Sequence, residues 1–564
     1  MAAYLFLALA LLTYQAVYKV FQLRAHIRAA QQTGLPYTIS LIHELEIWAY
    51  LTDPILKRAC RGRLMRGRGW PRWARFMVKD WHYEDRRRAH DEYGSVFLVV
   101  SPAGMVCYVG EADAAAQVLT RRKAFVKPRE KMKMLEPFGP NVVSVDGDRW
   151  RFHLAVTLPP FAADNVLGLL WDETCRQVDV MAAAWKRAGD KASLKRNVYS
   201  LTMNTMSLVG FGKQSEWTDG ADAVPQEHTL SLVGAIYAVV MHLPHILLLP
   251  KRILKLVGPK AFTGYDELER YMTELLGQEK ARLLNDSTHK ESSRETLLTA
   301  VLRSNNSSKP GGTSLTDTEV KGNIFMFLLA GYDTTANTIL FCCITLALYP
   351  AVQDCLIEEV DRVWTEAERA GRSELSLVHD MPKFRYLIAF MYEVMRVFPI
   401  VLPIARETSG PQPLSLGDTA HLLPSRMGVI VNNTAIHHDA RNWPSPSVID
   451  PRRWMVSNPH AFDPREPASP DQVRQMSEGN VKIPGHRRGT FMSFGEGPRA
   501  CLGRNFAKTE FVAFYSRLSR KYRLRIGDGV DAEMVERVIR LRSGGSPVTL
   551  IPPEDVRINL VERV

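Results

Sequence analysis

The fold is decided by Phe-Met-Ser-Phe-Gly-Glu-Gly-Pro-Arg-Ala-Cys-Leu-Gly-Arg-Asn-Phe, residues 491–506, which puts Cys501 in a glycine-rich loop before a helix. Gly495, Gly497 and Gly503 can adopt positive φ and leave room for a flat group near the backbone. The predicted helix runs from about Leu502 to Tyr522, and the N–H groups at its start favour a thiolate. Because a thiolate is a metal ligand, the stretch indicates a metal or cofactor site.

Three other interpretations of this loop compete with a metal ligand. A lone cysteine is most often a small buried apolar side chain. A structural zinc site needs about four Cys or His ligands at close spacing, and none stand near Cys501. A phosphate loop ends in Gly-Lys-Ser/Thr, whereas this loop continues as Gly-Pro-Arg. Zinc and phosphate therefore fit poorly.

The spacing Phe494-x-x-Gly497-x-Arg499-x-Cys501-x-Gly503 resembles the haem-binding signature of the cytochrome P450 family. The resemblance implies a mainly α fold with a small β-rich region. It also implies that haem b is bound with the Cys501 thiolate as axial iron ligand. In this family Arg499 would pair with a haem propionate.

A long buried helix is predicted from the capping-box pattern at Thr316 to Tyr349, because its apolar side chains cover nearly every face. The sequence Ala330-Gly331-Tyr-Asp333-Thr334-Thr stands in its middle. A packing glycine and hydroxyls bonded to the preceding turn would account for it structurally. The segment also resembles the family's oxygen-activation motif. That resemblance implies that Ala330 and Gly331 leave space for dioxygen, while Thr334 and Asp333 guide protons.

Two further propionate-binding positions of the family have counterparts in this chain. Trp150, in a helix predicted to open at Gly147, resembles the family's propionate-binding tryptophan. Leu154 stands where the family usually has an arginine, so either a neighbouring residue substitutes or the contact is absent; the candidates are Arg149, Arg151 and His153. Arg406 matches another propionate-binding arginine.

Glu393 and Arg396 lie three residues apart on a predicted helix, which places both side chains on one face. An isolated pair of this kind is usually a weak surface salt bridge. With Arg453 in Asp-Pro-Arg-Arg-Trp, residues 450–454, the pair resembles the family's buried Glu-Arg-Arg network. We therefore expect these three residues to be structural.

The amino terminus carries no charged side chain through Tyr18, after which Lys19, Arg24 and Arg28 follow. This pattern predicts a single transmembrane helix at residues 1–20, with the catalytic body in the cytosol. Residues 21–80, basic and rich in tryptophan, indicate a membrane-proximal segment, although a solvated charged face is the alternative. Residues 81–564 would form the catalytic domain.

Several segments between the motifs also give structural expectations. The apolar run 229–249 is interrupted by His242, Pro244 and His245, which favours an amphipathic surface helix and loop over a second span. The polar segment 286–313 is expected to be a surface loop, and the turn at 543–547 a terminal hairpin. Seven cysteines with no bridging pattern indicate a reducing compartment.

The resemblance implies a monooxygenase that inserts one oxygen atom from O2 into a lipophilic small molecule. Electrons would come from NADPH through a separate reductase, with cytochrome b5 as an optional second donor, because the chain has no flavin or nicotinamide domain of its own. The chain is similar to filamentous-fungal members of secondary metabolism, which implies the endoplasmic reticulum membrane. The net charge of +12 has no nucleic-acid motif beside it, so nucleic acid is not expected.

Two other functions remain open on the sequence. A haem-thiolate isomerase or dehydratase would share Cys501 but need no electron supply. A haem sensor would keep the cysteine ligand and have no use for Asp333 and Thr334.

Overall fold

A computed structural model describes residues 2–189, 193–214, 217, 224–285, 295–306, 314–456, 466, 468–478, 488–541, 549–553 and 556–563. The chain is mainly helical. The helices are α1 Ala2–Thr33, α2 Ile47–Met65, α3 Arg72–Arg75, α4 His82–Asp85, α5 Arg88–Tyr93, α6 Ala112–Thr120, α7 Arg129–Met132, α8 Gly147–Thr157, α9 Asp164–Ala188, α10 Leu194–Phe211, α11 Leu232–Met241, α12 Leu243–Leu248, α13 Lys251–Val257, α14 Pro259–Asn285, α15 Leu297–Asn306, α16 Asp317–Leu348, α17 Pro350–Arg369, α18 Leu377–Asp380, α19 Arg385–Val397, α20 Asn433–His437, α21 Pro470–Glu478, α22 Arg504–Lys521 and α23 Ala532–Ile539.

The strands form one sheet of six strands and two small pairs. They are β1 Tyr37–Ile39, β2 Val96–Ser101, β3 Gly104–Val109, β4 Phe125–Val126, β5 Ile404–Thr408, β6 Gln412–Leu416, β7 Thr419–Leu423, β8 Gly428–Val431, β9 Tyr522–Ile526 and β10 Ile558–Glu562. The large sheet has the order β1-β2-β3-β8-β5-β4. Strands β2 and β3 form an antiparallel hairpin, and β4 pairs antiparallel with β5 at one edge. The expected mainly α fold with a small β-rich region is confirmed.

Helix α16 is the centre of the helical core, packing against α10, α19 and α22. Its predicted capping box is present, since Thr316 accepts from the Glu319 N–H and Glu319 accepts from the Thr316 N–H. Nearly all its side chains are buried, as the apolar pattern predicts.

A buried carboxylate joins α19 to the segment of residues 450–454. Glu393 on α19 accepts from Arg396 on the same helix and from Arg453, at 2.8 and 2.9 Å, with all three side chains fully buried. Trp454 Nε1 donates to the same carboxylate at 3.0 Å. Burial alone would raise the pKa of Glu393, but the two guanidinium groups outweigh it and hold that pKa at about 2. The predicted Glu-Arg-Arg arrangement is therefore present in space.

The helix that meets the length and hydropathy criteria for crossing a membrane is not the predicted anchor. Among the described residues, α16 is the helix long and apolar enough to span a bilayer, and 83% of its apolar window is buried. A second candidate exists if the segments Gly147–Ala162 and Asp164–Ala188, bent by 54°, count as one span. Core helices also meet these criteria. The predicted anchor lies in α1, which continues unbroken past residue 20, and its membrane insertion stays a prediction.

Two expectations about loops have different outcomes. The run 229–249 forms the short helices α11 and α12, each far below the length of a membrane span, in agreement with the prediction. The surface loop expected at 286–313 is wrong in part, because residues 297–306 form α15. Its Leu297, Leu298, Val301 and Leu302 are buried, a helical apolar spacing hidden among polar residues. The turn at 543–547 lies outside the described residues.

We predict that Glu393→Gln lowers the free energy of unfolding by about 3 kcal/mol or more, because it leaves two buried guanidinium groups without their anion. Since the folded pKa lies near 2, this stabilisation should be present above about pH 4.3 and be lost as the pH falls towards 2. Denaturant titration at several pH values measures both effects.

Glu368→Gln is the matched control, because the Glu368 carboxylate pairs with Arg520 at the surface with about half of its side chain exposed. Exposed pairs contribute ~0–1 kcal/mol. Equal losses in the two variants would contradict the role assigned to Glu393.

Candidate functional site

The cysteine loop is held by its own backbone and by neighbouring elements. The Cys501 N–H donates to Phe494 O at 2.8 Å, and the Gly495 N–H donates to Met492 O at 2.8 Å. Gly497 has φ +71°, and a Cβ there would lie 2.6 Å from Leu119 O. Both the dihedral and this close approach require glycine.

His437, at the end of α20, connects this loop to the buried carboxylate. Its Nδ1 donates to Arg396 O at 3.1 Å, and its Nε2 then accepts from the Met492 N–H at 2.9 Å. The imidazole ring also stacks on Phe491. The orientation of the cysteine loop therefore depends on the position of Arg396.

Cys501 is the exposed residue among the seven cysteines. The residue is accessible to solvent, yet desolvation by the surrounding protein raises the pKa of its thiol, and the Gly503 N–H offsets only part of this effect. Helix α22 begins at Arg504, two residues later than predicted. Without a bound cation, burial therefore outweighs the effect of the nearby N–H groups on the pKa of the Cys501 thiol. A bound metal cation would supply the missing stabilisation.

One face of α16 is open where the rest of the helix is buried. Ala330 is exposed, and Gly331 and Thr334 are half-buried. Thr334 Oγ1 donates to Ala330 O at 2.5 Å, one turn back. Phe161 connects this helix to the cysteine loop, because its ring packs against Phe327 of α16 and Phe506 of α22. The structure thus brings both predicted motifs to one region.

Asp333 points into a separate buried cluster. Its carboxylate accepts from Thr549 Oγ1 at 2.5 Å and from Tyr199 OH at 3.1 Å. Asn337 Nδ2 donates to the same carboxylate at 3.1 Å and also to Thr549 Oγ1. Sequence reasoning missed these three partners. Tyr199 lies in α10, Asn337 one turn further along α16, and Thr549 near the carboxyl terminus. No local sequence pattern relates these three residues.

A group of cations surrounds Trp150. The Arg499 guanidinium lies 4.2 Å from the ring centroid and that of Arg122 lies 5.0 Å away. Arg499 donates to Val145 O and to Asp146 Oδ1. Arg406 is buried, and burial followed by the nearby Arg499 lowers its pKa to about 10. The predicted propionate-binding residues are therefore close together.

The substitutes proposed for the missing arginine at Leu154 are wrong. Arg149 forms an ion pair with Glu319, and His153 lies between Glu319 and Asn323. Arg151 pairs with Asp148 on the exposed side of α8. Arg149 and Arg151 project about 100° to either side of Trp150 on α8. His153 lies on the same side of the helix as Trp150, but Glu319 and Asn323 hold its ring.

These features fit haem. Among the residues that the structure describes, no group of three or more His, Cys, Asp or Glu side chains could hold a bare metal ion. A single exposed cysteine suits an iron whose other ligands come from a macrocycle. The cations near Trp150 outnumber their acidic neighbours, which suits the two carboxylates of a propionate edge.

The family model and the similar proteins found for this chain all carry the same family name. The family model described as cytochrome P450 matches residues 72–545. "Cytochrome P450 monooxygenase ORF6" of Penicillium roqueforti and "Cytochrome P450 monooxygenase prx9" of Penicillium rubens are each 37% identical over 97% of this chain and 96% of the relative. The "Phomenoic acid biosynthesis cluster cytochrome P450 monooxygenase" of Leptosphaeria maculans is 26% identical over 76% of this chain and 75% of its own.

The fold has solved neighbours as well. A crystal structure of a cytochrome P450 (CYP102L1) has a TM-score of 0.64 at 19% identity, covering 85% of this chain and 94% of that chain. A zebra fish cytochrome P450 with abiraterone has a TM-score of 0.63 at 18% identity, covering 86% and 100%. At such low identity these neighbours establish the fold.

We predict that Gly497→Ala destabilises the protein by about 3 kcal/mol, from backbone strain and from the contact with Leu119 O. Gly529→Ala is the control, because Gly529 has φ +75° and a Cβ added there would have nothing within 4 Å. It should cost ~1–2 kcal/mol. Denaturant unfolding of both variants separates strain from close packing, and equal losses would contradict the role of the Leu119 contact.

Proposed function

Since the chain belongs to the cytochrome P450 family, whose relatives are monooxygenases, we propose that it binds haem b through Cys501 and inserts one oxygen atom from O2 into a lipophilic small molecule. The observation that carries this proposal is the exposed thiol of Cys501, whose loop leads into α22, which Phe161 joins to α16. Fungal relatives that include a member of a biosynthesis cluster support a role in secondary metabolism.

The residues that would hold haem follow from the geometry of the site. Cys501 would be the axial ligand, while Phe494, Gly497 and Gly503 shape its loop. The propionates would meet Arg499, Arg406 and the Trp150 N–H. When bound, haem supplies the iron at which dioxygen is reduced by electrons from outside the chain.

Proton handling would fall to the open face of α16. Thr334 Oγ1, half-buried, donates to Ala330 O and can also accept a hydrogen bond, so it would hold or pass a proton at the open face of α16. Asp333, its neighbour in sequence, is a buried carboxylate with three hydrogen-bond donors. Asp333 would relay protons from solvent towards Thr334, alternating between its carboxylic acid and carboxylate forms, while the small side chains of Ala330 and Gly331 leave room for oxygen.

Electrons would come from NADPH through cytochrome P450 reductase, with cytochrome b5 as an optional second donor. Exposed Arg488 and Arg504 stand beside the cysteine loop and line a surface recess with Tyr392 and Phe494. Cations at this position support docking of an acidic partner protein.

A single-pass anchor in the endoplasmic reticulum membrane, with the catalytic domain in the cytosol, completes the proposal. Tyr4, Phe6, Leu7 and Leu11 of α1 are exposed, which supports burial of this helix in lipid. Residues 21–80 would lie near the headgroups and residues 81–564 would form the catalytic domain.

One prediction of the proposed function concerns the iron ligand Cys501. Reduced microsomes containing the wild-type chain should show a strongly red-shifted Soret band with carbon monoxide, and Cys501→Ala should lose it, because a thiolate ligand produces this shift. Cys175→Ala, which removes a thiol of α9 instead, should keep the band. A wild-type protein that binds haem without this band would overturn the proposed function.

Another prediction of the proposed function concerns proton delivery by Thr334. With reductase, NADPH and a compound chosen from fungal extracts for its conversion by the wild-type enzyme, Thr334→Ala should lower product per NADPH by about tenfold or more and release hydrogen peroxide. Thr334→Ser should restore most of the product. Thr345→Val removes a buried hydroxyl that bonds to Phe341 O on the same helix, and is the control.

An unchanged product yield in Thr334→Ala would contradict the role of Thr334. Conversion that proceeds without NADPH would instead favour a haem-thiolate isomerase or dehydratase. Normal haem binding with no conversion of any compound would favour a haem sensor.

A further inference from the structure

Helix α1 passes from an exposed half into a half that packs on the catalytic body, with no interruption between them. Through Phe21, the described side chains of α1 are exposed to solvent. From Leu23 onward the helix packs on the large sheet, where Leu23 and Ile27 contact the cluster that fully buries Ala30. Residues 23, 27 and 30 share one helix face, so the change from exposed to packed occurs within one turn.

Nothing in α1 would act as a hinge between its two halves. The helix contains no proline, glycine or serine, the residues that interrupt helices or make linkers flexible. Two hydrogen bonds fix the packed half, because His26 Nδ1 donates to Ser101 O at 3.0 Å and His421 Nδ1 donates to Thr33 O at 2.9 Å. The exposed half therefore projects from the body in a set direction.

The exposed half has the length of a bilayer core. Residues 2–21 extend for about 30 Å at 1.5 Å per residue, and the hydrocarbon core of a bilayer is about 30 Å thick. Lys19, in the last turn of this half, can extend its ammonium group to the headgroups. With this half in the core, the headgroup layer begins near Gln22 and reaches about 5–7 Å further. His26 is about 6 Å beyond Gln22 along the helix, so it lies within that layer.

The start of α2 lies at the same level as His26. Ser101, whose carbonyl oxygen accepts from His26, donates its hydroxyl to Glu46 at 2.9 Å, and α2 begins at the next residue. One face of α2 carries three apolar residues at the spacing i, i+3, i+7, each more than half exposed. They are Trp48, Leu51 and Ile55.

The charges of α2 suit a lipid surface as well. Its second half exposes Arg58, Arg61 and Arg63, whereas its single acid, Asp53, pairs with Lys57 at 3.9 Å. An apolar face with a tryptophan, followed by unbalanced arginines, is typical of a helix that lies between acyl chains and anionic headgroups. Because this face continues from the level at which α1 leaves the bilayer core, a lipid surface is the occupant that fits it.

We propose that α1 is a strut that sets the distance of the catalytic body from the membrane and holds the Trp48 face of α2 among the lipid headgroups. This inference rests on the anchor of the proposed function, because it needs α1 to cross the bilayer. A flexible tether would leave the distance undefined. Thr33, at the far end of the strut, is about 18 Å from Phe21 along the helix, so β7 beside it lies outside the headgroup layer.

Quenching by a headgroup nitroxide tests this placement. The full-length holoenzyme is reconstituted into bilayers of phosphatidylcholine and phosphatidylserine, with a nitroxide on the headgroup of some of the phosphatidylcholine. Trp48→Phe is the background, to which Leu51→Trp or Leu422→Trp adds one tryptophan. These leucines are 60% and 59% exposed and are therefore matched in exposure, while Leu422 belongs to β7. The added tryptophan should be quenched about threefold or more strongly in Leu51→Trp than in Leu422→Trp.

A helical spacer tests the strut itself. Seven residues, Ala-Glu-Ala-Ala-Ala-Lys-Ala, inserted between Gln22 and Leu23 lengthen α1 by about 10 Å and change the direction of its faces by only about 20°. Their charges keep them out of the bilayer core. The spacer should lift the body from the headgroups, so quenching in Leu51→Trp should fall to the level of Leu422→Trp.

Three results would overturn the proposal. The first is equal quenching of the two variants at the natural helix length, and the second is quenching in Leu51→Trp that persists with the spacer. The third is protection of Leu51→Trp from aqueous iodide without nitroxide quenching, which would indicate a protein on this face of α2.

Extraction of the membranes at high pH separates this inference from the proposed function. If the chain stays in the membrane but Leu51→Trp is not quenched, the strut fails and the anchor stands. If the chain is extracted, the anchor of the proposed function fails and the strut fails with it. The carbon monoxide band tests the Cys501 ligand independently of both.

Discussion

The site depends on the buried ion pairs of Glu393. Its carboxylate joins Arg396, Arg453 and Trp454, which come from one helix and one distant turn. Hydrogen bonds connect Arg396 to the cysteine loop. The carbonyl oxygen of Arg396 accepts from His437, and His437 accepts from the Met492 N–H at the start of that loop. An uncompensated buried charge would be so costly that the network tolerates few alternative arrangements. The direction in which Cys501 points is a consequence of this rigidity.

A different electrostatic situation exists around Trp150. At Glu393 the opposite charges are satisfied within the protein, whereas near Trp150 the cations Lys127, Arg406 and Arg499 have Asp146 as their near anion. The first cluster stabilises the fold by itself. The second has more cations than acidic neighbours, which suits an anionic ligand.

Local patterns explain most of what could be predicted. The sequence indicated the capping box at Thr316, the motif that begins at Ala330, and the helical pair of Glu393 and Arg396. Each of them depends on residues within one or two turns of a helix. Predictions failed where several neighbouring side chains could have taken the same role. Arg149 and His153 are near Leu154 in sequence, yet the direction of their side chains on α8 takes them to Glu319. The helix α15 was missed because polar residues masked its apolar spacing.

The sequence by itself determined the ligand loop of Cys501, the buried helix beneath Thr334 and the mainly helical class, because short-range spacing and hydrophobic pattern specify them. The tertiary structure decided the partners of the charged and polar groups. Thr549 meets Asp333 across 216 residues, and His26 of α1 meets Ser101 across 75 residues. Such contacts arise from chain segments far apart in sequence, so no local pattern encodes them, and packing alone brings them together.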